Sequence, residues 1–380
     1  MTHEANKFHT LSFPPIQTLT IFPRIDVEAI ATRVQAIVAA NPWLLGRLAT
    51  GPNGTIELQY DDTPDKQSRV FQYVTAPAEK NALAYVADVV SGHEGLNAQH
   101  QCLFQVVVLD MPDGTAGLIV ALNHTIGDGW TYYALYKMLD GEAAVRGLNP
   151  TRVLSNASAV FASTSPFTAI AMKSSFVVSR MLYHVLVHIY RKFVPRPRTT
   201  VTYRVSHEEV KRQKEAHKPT AAAPFLSTND IVVSAVFRAS DTALGAMAVN
   251  IRDRLNLGKM DVAGNYISAF AYTRKDFASP ALVRESIRNK LAPHEKPTKE
   301  APPTAWDTGK FTLITNWTSF YHSLVLEPGV AAISHKPLSR PAFLPFDAVA
   351  ILYNHTPNEM RVLVRDNCRL PTPLFEQMIS

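Results

Sequence analysis

The chain has 380 residues, of which 46% are hydrophobic and 18% charged, and its formal net charge is +6. This length predicts two domains, and the composition is that of an ordinary globular protein with enough apolar residues for a substantial core. The charge is mild and is not gathered into a Lys/Arg cluster interleaved with aromatic residues. We therefore expect no nucleic-acid partner, whereas an anionic small molecule suits this charge better.

Two features bear on the cellular compartment. Cys102 and Cys368 lie far apart without a C-x-x-C pattern, which favours reduced thiols in an intracellular protein. The first residues contain no apolar stretch of signal-peptide length. We therefore expect a cytoplasmic localisation, and we also expect a monomer.

The first half alternates predicted strands with predicted helices. Asp26 is a candidate N-cap for a helix that ends at Asn41-Pro42, and a second helix is predicted over 78–90. A Pro-Asn-Gly turn at 52–54 predicts a hairpin. The predicted strands are residues 17–22, 55–60, 70–74, 102–109 and 116–123. The last two are apolar and form a hairpin whose second strand leads into His124.

The stretch after this hairpin reads His124-Thr-Ile-Gly-Asp128-Gly129 and is followed by apolar residues at helical spacing. A strand end, a glycine turn and a helix start place a reactive side chain on a rigid scaffold beside a cleft. His124 is a candidate general base, because an unperturbed histidine titrates near pH ~6.5. The six residues alone equally fit a helix cap in which Asp128 accepts from backbone N–H groups.

The segment 167–193 is strongly apolar but interrupted by charge, so it has no uncharged run of about 18 residues that would span a bilayer. At 100° per residue its polar side chains form one narrow stripe of Lys173, Arg180, His184 and Arg191. We favour a linker helix buried between domains over an amphipathic helix on a membrane surface. His184 and His188 have metal-ligand spacing, but no third ligand is evident nearby.

The second half follows the extended segment 194–197 and again alternates strands with helices. Predicted helices begin near Ser206, at residues 226–230 and at residue 281, the last ending at 291. Predicted strands cover 200–205, 247–251 and 311–317, and residues 348–354 and 360–365 form a terminal hairpin. Both halves therefore predict an α/β fold with mixed sheets flanked by helices.

Taken together, these landmarks resemble the CoA-dependent acyltransferases of the condensation-domain, chloramphenicol acetyltransferase and plant-type BAHD superfamily, over nearly the whole chain and in order. The segments that carry the resemblance are Asn41 to Leu48 (N-P-W-L-L-G-R-L), His124 to Gly129 (H-x-x-x-D-G), Val201 to Val205, Ser227 to Arg238, Val249 to Arg254 (V-N-I-R-D-R), Gly264-Asn265 and Thr315-Asn-Trp317.

The resemblance implies two chloramphenicol-acetyltransferase-like domains, joined by a crossover, with an active-site tunnel between them. We expect an N-terminal domain at 1–165, a crossover linker helix at 166–199 and a C-terminal domain at 200–380. Some positions depart from the family pattern. Asn123 replaces the first histidine of the condensation-domain motif, Asn250 replaces an aspartate, and the D-F-G-W-G element of plant members is missing around 324–329.

The resemblance also implies roles for individual residues. Asp128 turns away from the substrate and pairs with Arg252, so the pair fixes the loop. Gly129 allows close approach of substrate. Trp317 and Thr315 carry donors for a developing oxyanion, although Trp317 equally fits a core tryptophan whose N–H is satisfied internally. Apart from the resemblance, Ser227 and Thr228 lie at a predicted helix N-terminus, which makes them candidates to bind a CoA phosphate, with capping of that helix as the alternative.

The implied reaction is direct acyl transfer from acyl-CoA, as co-substrate, to the hydroxyl or amine of a small acceptor in a ternary complex. It needs no acyl-enzyme, no metal and no permanently bound cofactor. Two alternatives stay open. One is a condensation-type enzyme that uses carrier-bound acyl groups, and the other is a non-catalytic descendant that binds an acyl ligand or a protein partner. Peripheral membrane contact through 167–193 is a further possibility.

Overall fold

The computed structural model describes residues 14–52, 56–60, 70–75, 102–152, 165–193, 200–255, 261–287, 294–338, 346–365 and 368–378. The helix predicted over 78–90 and the extended segment 194–197 lie outside these residues.

The first half of the chain builds a five-stranded sheet. In spatial order its strands are Ser334–Pro337 (β13), Ile16–Phe22 (β1), Ala116–Leu122 (β6), Phe104–Asp110 (β5) and Phe71–Thr75 (β4). β6 runs antiparallel to both β1 and β5, whereas β4 and β5 are parallel. All seven residues of β6 are buried, so the strand that leads into His124 is fixed on both sides and both faces.

The second half builds a seven-stranded sheet. In spatial order its strands are Phe375–Gln377 (β16), Thr200–Val205 (β7), Glu359–Arg365 (β15), Ala348–Thr356 (β14), Lys310–Asn316 (β10), Thr242–Asn250 (β8) and Ile267–Thr273 (β9). β10 is parallel to β8 and β14, and the other pairs are antiparallel. The predicted α/β class with two mixed sheets is therefore confirmed.

The helices pack on these sheets, and two small hairpins complete the described elements. The helices are Val27–Ala40 (α1), Gly129–Lys137 (α2), Pro166–Ala171 (α3), Ser175–Phe193 (α4), His207–Ala216 (α5), Thr228–Ala239 (α6) and Pro280–Ile287 (α7), with 3-10 turns at Pro42–Leu45 and Asp253–Leu255. The hairpins pair Arg47–Thr50 (β2) with Ile56–Gln59 (β3) and Val325–Glu327 (β11) with Val330–Ala331 (β12).

Local signals placed several helix starts correctly. Asp26 accepts from Ala29 N at 3.0 Å and Ser206 accepts from Glu209 N at 3.2 Å, so each is the N-cap of its helix. Ser227 caps α6 in a reciprocal capping box with Asp230. The strand expected at 247–251 begins five residues earlier, at Thr242, because the small apolar residues there pair with both β9 and β10.

One strand crosses between the halves. β13 comes late in the chain but pairs with β1, at the edge of the first sheet. The segment before it also belongs to the first core, where Leu324 and Val330 pack with residues of α1, β5 and β6. The first sheet is therefore completed by residues beyond 200.

The segment 167–193 is not one buried helix, and the preference for a buried linker is wrong. It forms α3 and α4, separated by a turn after Ala171, and most apolar side chains of α4 are exposed. Leu182, Leu186 and Phe193 have 61%, 66% and 79% of their surface accessible. The physical reason is that Arg180 and His184 of the polar stripe, and not the apolar side, pack on the protein: His184 is 7% exposed and lies 3.2 Å from Asp347.

Candidate active site

His124 lies in the turn between β6 and α2. Asn123 N donates to the Leu103 carbonyl, which extends the ladder by one residue, and Asn123 Oδ1 then accepts from Thr125 N at 2.9 Å. The turn ends at Asp128, which caps α2 by accepting from Thr131 N at 3.0 Å. A buried strand and a capped helix therefore hold both ends of the six-residue motif.

Asn265 determines the state of the His124 ring. Its Nδ2 donates to the main-chain oxygens of His124 (2.6 Å) and Thr125 (3.1 Å), so its Oδ1 faces the imidazole, 3.1 Å from Nδ1. An amide oxygen can only accept a hydrogen bond, so the neutral ring carries its proton on Nδ1 and its lone pair on Nε2. This is the tautomer that a base acting through Nε2 requires.

Asp128 and Arg252 are brought together by the fold, 124 residues apart in the chain, as a buried two-point ion pair. Nη1 of Arg252 lies 2.7 Å from Oδ2 of Asp128, and Nη2 lies 3.1 Å from Oδ1. Tyr266 N also donates to Oδ2, at 2.9 Å. Burial raises the pKa of Asp128, but the charge and hydrogen bonds of Arg252 outweigh it and hold that pKa below its usual range.

The Arg252 guanidinium has partners on all sides. It donates to the carbonyls of Val262 (3.2 Å) and Gly264 (2.9 Å), and it lies between the rings of Trp130 and Tyr266, whose centroids are 4.4 Å and 4.8 Å away. These contacts join the loop after β8 to the turn that carries His124. Asp128 therefore positions the loop, and both of its oxygens are used.

Thr315 and Trp317 lie at and just beyond the end of β10, and both line the same cavity as His124. Trp317 Nε1 donates to Thr315 Oγ1 at 3.1 Å, so the indole N–H is satisfied within the protein. The Thr315 hydroxyl accepts this bond and still has its own proton to donate. An oxyanion in the cavity would therefore be met by Thr315 rather than by the indole.

Gly129 also borders the cavity, but nothing in the protein demands a glycine there. A Cβ at 129 would make ordinary contacts, 3.7 Å from Phe320 and 3.9 Å from Trp317. At Gly127, by contrast, a Cβ would lie 2.8 Å from both Leu122 and Thr131. The packing of the turn therefore depends on Gly127, whereas a side chain at 129 would project toward the cavity.

Ser227 and Thr228 differ in their surroundings. Ser227 lines the cavity, and its Oγ accepts from Asp230 N in the capping box and from Nη2 of Arg284 at 2.6 Å. Thr228 Oγ1 instead accepts from Lys214 Nζ at 3.0 Å and does not line the cavity. Capping is therefore the observed role of Ser227, and the Arg284 guanidinium beside it is paired with the buried carboxylate of Asp230, 2.7 Å from its Nε.

The cavity has a volume of about 680 Å³ and is lined by both halves of the chain. His124 and Trp130 come from the first half, and one face of the large sheet supplies Met247, Leu313 and Ile351. Most of the lining is apolar, and it also includes charged residues of both signs, among them Asp253 and Arg254, whose guanidinium lies over the ring of Phe270. Such a space suits a mostly apolar molecule with a few polar groups.

A buried polar cluster supports α2 from behind. His335 of β13 contacts the hydroxyls of Tyr133 at its Nε2 (2.9 Å) and of Thr20 and Tyr136 at its Nδ1 (2.9 Å and 3.2 Å). Burial, with a smaller contribution from His355, lowers the pKa of His335 to about 3, so the ring is neutral. The crossing strand thereby ties the helix after His124 to β1.

Sequence reasoning singled out most of these residues but missed two roles. Asn265 was noted only as part of a Gly-Asn pair, and its contact with His124 joins residues 141 positions apart. The sequence pattern assigns a role to Gly129, whereas the packing of the turn requires a glycine at Gly127. Within the described residues, no group of three His, Cys, Asp or Glu side chains is arranged to hold a metal ion.

No protein-family model and no curated protein sequence matches the chain. Solved structures do match. TRI101 of F. sporotrichioides, complexed with Coenzyme A and T-2, has a TM-score of 0.58 at 13% identity, covering 93% of this chain and 91% of that chain. Vinorine synthase has a TM-score of 0.57 at 13% identity, and the match covers 98% of this chain and 92% of that chain.

A third match is the first condensation domain of the calcium-dependent antibiotic synthetase in complex with substrate analogue 3a. Its TM-score is 0.55 at 11% identity, and the match covers 93% of this chain and 85% of that chain. Identities this low establish the fold and not the activity. The resemblance inferred from the motifs is confirmed at that level: this chain has the fold of the chloramphenicol-acetyltransferase-like and BAHD acyltransferases and of condensation domains.

Proposed function

We propose that this protein is an acyltransferase that moves an acyl group from a CoA thioester to the hydroxyl or amine of a small acceptor. The observation that carries the proposal is the His124–Asn265 contact beside the cavity, which gives the imidazole the tautomer of a base. TRI101 was solved with Coenzyme A and T-2, so a structural neighbour binds a CoA compound together with a second small molecule.

His124 acts first in the proposed reaction. Its Nε2 takes the proton of the acceptor as the acceptor oxygen or nitrogen attacks the thioester carbonyl carbon. The C–S bond then breaks, the acyl group remains on the acceptor, and the CoA sulfur leaves with the proton that His124 held. No acyl-enzyme forms, since the acceptor itself is the nucleophile.

Thr315 and the Asp128–Arg252 pair support this step. The Thr315 hydroxyl donates to the oxyanion of the tetrahedral intermediate, and the indole of Trp317 keeps that hydroxyl in place. The buried ion pair holds the turn so that the His124 ring stays against Asn265. Apolar walls keep water from competing with the acceptor.

The assay is thiol release from a panel of short-, medium- and long-chain acyl-CoAs, each with a mixture of alcohols and amines. Acceptor-dependent release supports the proposal. Release that requires the same acyl groups on a carrier-protein pantetheine, with none from CoA, assigns the chain to the condensation-type alternative, which the match to a condensation domain supports. No release from any donor favours a non-catalytic binding protein.

A further inference from the structure

Helix α4 turns its apolar side away from the protein. The side chains concerned are each 40% to 79% exposed, and they are Val178, Leu182, Tyr183, Val185, Leu186, Ile189, Tyr190 and Phe193. At 100° per residue they occupy about 160° of the helix surface. Surface helices of globular proteins ordinarily bury such a stripe and expose the polar one.

Polar anchors fix this orientation from beneath. Nε2 of His184 and Nη1 of Arg180 lie 3.2 Å and 3.7 Å from the Asp347 carboxylate, and Nη2 of Arg180 donates to the Gly309 carbonyl at 2.6 Å. Phe176 is fully buried in the cluster below the helix. Rolling the helix to bury its apolar side would break these contacts, so the apolar side faces outward in the folded protein.

Neighbouring residues extend the exposed apolar surface. Ile170 of α3 is 63% exposed and Trp306 is 94% exposed. Ala305, next to Trp306, donates its N–H to Ser175 Oγ at 3.1 Å, which brings this tryptophan beside the start of α4. Tryptophan and tyrosine are the residues enriched at membrane–water interfaces, where an apolar ring with one polar group is stable.

The stretch of sequence that contains α3 and α4 carries only positive charges, although the exposed Asp307 lies next to Trp306. Between Glu142 and Glu208 the sequence contains no Asp or Glu, whereas it contains Lys173, Arg180, Arg191 and Lys192 within or next to α4. Lys173 is exposed at the turn that precedes the helix. Basic residues are attracted to any anionic surface, and an exposed apolar helix face among them favours an anionic lipid surface, where the apolar side chains can also be buried.

We propose that α4, with Ile170 and Trp306, docks on the surface of an anionic phospholipid bilayer. The helix lies in the plane of the interface with its apolar face among the lipid chains. Among the described residues, no helix has the length and apolarity needed to cross a membrane, which fits surface docking and not insertion. This inference is independent of the proposed acyl transfer, since it rests on a surface outside the cavity.

The test is co-sedimentation of the full chain with vesicles of phosphatidylcholine alone and with phosphatidylserine added. We expect binding to the vesicles that contain phosphatidylserine, weakened by salt. The triple variant Leu182→Gln/Leu186→Gln/Ile189→Gln should lower the partition coefficient on the order of a hundredfold. Lys173→Glu should lower it about fivefold or more, only on anionic vesicles.

Ile333→Gln is the matched control, because Ile333 is as exposed as Ile189, at 49%, but precedes β13 on the other sheet. It should bind as the wild type does, and circular dichroism should show all variants folded. Absence of the wild type from both pellets, or equal binding by the triple variant, overturns the proposal. So does a concentration-dependent dimer in sedimentation velocity that the triple variant abolishes, because α4 would then pair with a second copy.

Discussion

Asn265 Oδ1 lies 3.1 Å from Nδ1 of His124, while Nδ2 of the same amide donates to the His124 carbonyl oxygen. One side chain from the second half of the chain therefore fixes both the backbone and the ring of a residue at the end of a strand in the first half. The candidate site is made only when the two halves pack together. The cavity beside it has walls from both.

Replacing Asn265 with alanine removes the acceptor that selects the Nδ1–H tautomer. We expect kcat to fall about tenfold to a hundredfold, part of the ~10²–10⁴ that a general base supplies, with little change in KM. The acid limb of the kcat/KM profile should also move, which a purely structural defect would not cause. Asn149→Ala is the control, because the exposed Asn149 side chain accepts from Thr151 N in its own turn and the substitution leaves its main-chain bonds to Asp261 and Ala263 in place. An unchanged pH profile would contradict the assignment.

Replacing Asp128 with asparagine leaves Arg252 charged and buried without its partner. The free energy of unfolding should fall by about 3–5 kcal/mol. The double variant Asp128→Asn/Arg252→Met should lose less than the sum of the two single variants, since no uncompensated charge remains. Urea denaturation measures both quantities. Glu327→Gln, in an exposed pair with Arg24, should cost below about 1 kcal/mol, and equal losses at the two pairs would argue against the account.

Substitutions of Thr315 and Trp317 distinguish the roles of the two residues. Thr315→Val keeps the shape but removes the hydroxyl, and kcat should fall about 10²–10³-fold, whereas Thr315→Ser should retain most activity. Trp317→Phe should cost about tenfold at most, because the indole N–H acts only through Thr315. Steady-state kinetics of thiol release measure this order. A larger loss for Trp317→Phe than for Thr315→Val would reverse the roles.

The buried histidine behind α2 predicts a pH dependence of stability. Burial lowers the pKa of His335 to about 3, whereas in the unfolded chain the ring titrates near pH ~6.5. Between these values only the unfolded state binds the proton, so stability falls as the pH falls, by up to about 1.4 kcal/mol per unit. His294, with its pKa also lowered to about 3 by burial, adds a second such contribution.

Urea denaturation at several pH values from neutral down to about pH 5 tests this contribution of His335. The variant His335→Gln keeps a donor and an acceptor in the cluster but cannot titrate, so the slope of stability against pH should become shallower by about one proton. The free energy of unfolding of the variant is also lower at every pH, so the test is the slope of that free energy against pH and not its value. The same slope in wild type and variant would show that His335 is not neutral in the folded protein.

The parts of the structure that short-range chemistry decides were predictable. The strand, turn and helix around His124 follow from an apolar run, two glycines and a helical period, and the N-caps Asp26 and Ser206 follow from single residues. The order of the family-like motifs along the chain predicted the fold, although no protein-family model and no curated sequence matches the chain. The strand, turn, helix and N-cap signals each depend on neighbours a few positions away, whereas the order of the motifs is a property of nearly the whole chain.

The family resemblance pointed to one distant contact, the Asp128–Arg252 pair, but two other distant pairings were not predictable from one sequence. The β1–β13 pair and the Asn265–His124 contact join residues far apart in the chain. No local pattern in one segment indicates which other segment it will contact. The prediction that α4 is a buried linker helix was wrong for another reason. Helical periodicity shows which residues share a face, but not which face packs on the protein, and the Asp347 that attracts Arg180 and His184 lies beyond residue 340.

The central claim is that His124 removes the acceptor proton, and its most direct test is the kcat of thiol release by His124→Ala. With the donor and acceptor that the wild type uses best, we predict a loss of about 10²–10⁴-fold in a variant whose circular dichroism is unchanged. His207→Ala, at an exposed histidine of α5, should keep wild-type activity. A folded His124→Ala protein with kcat close to that of the wild type would contradict the account.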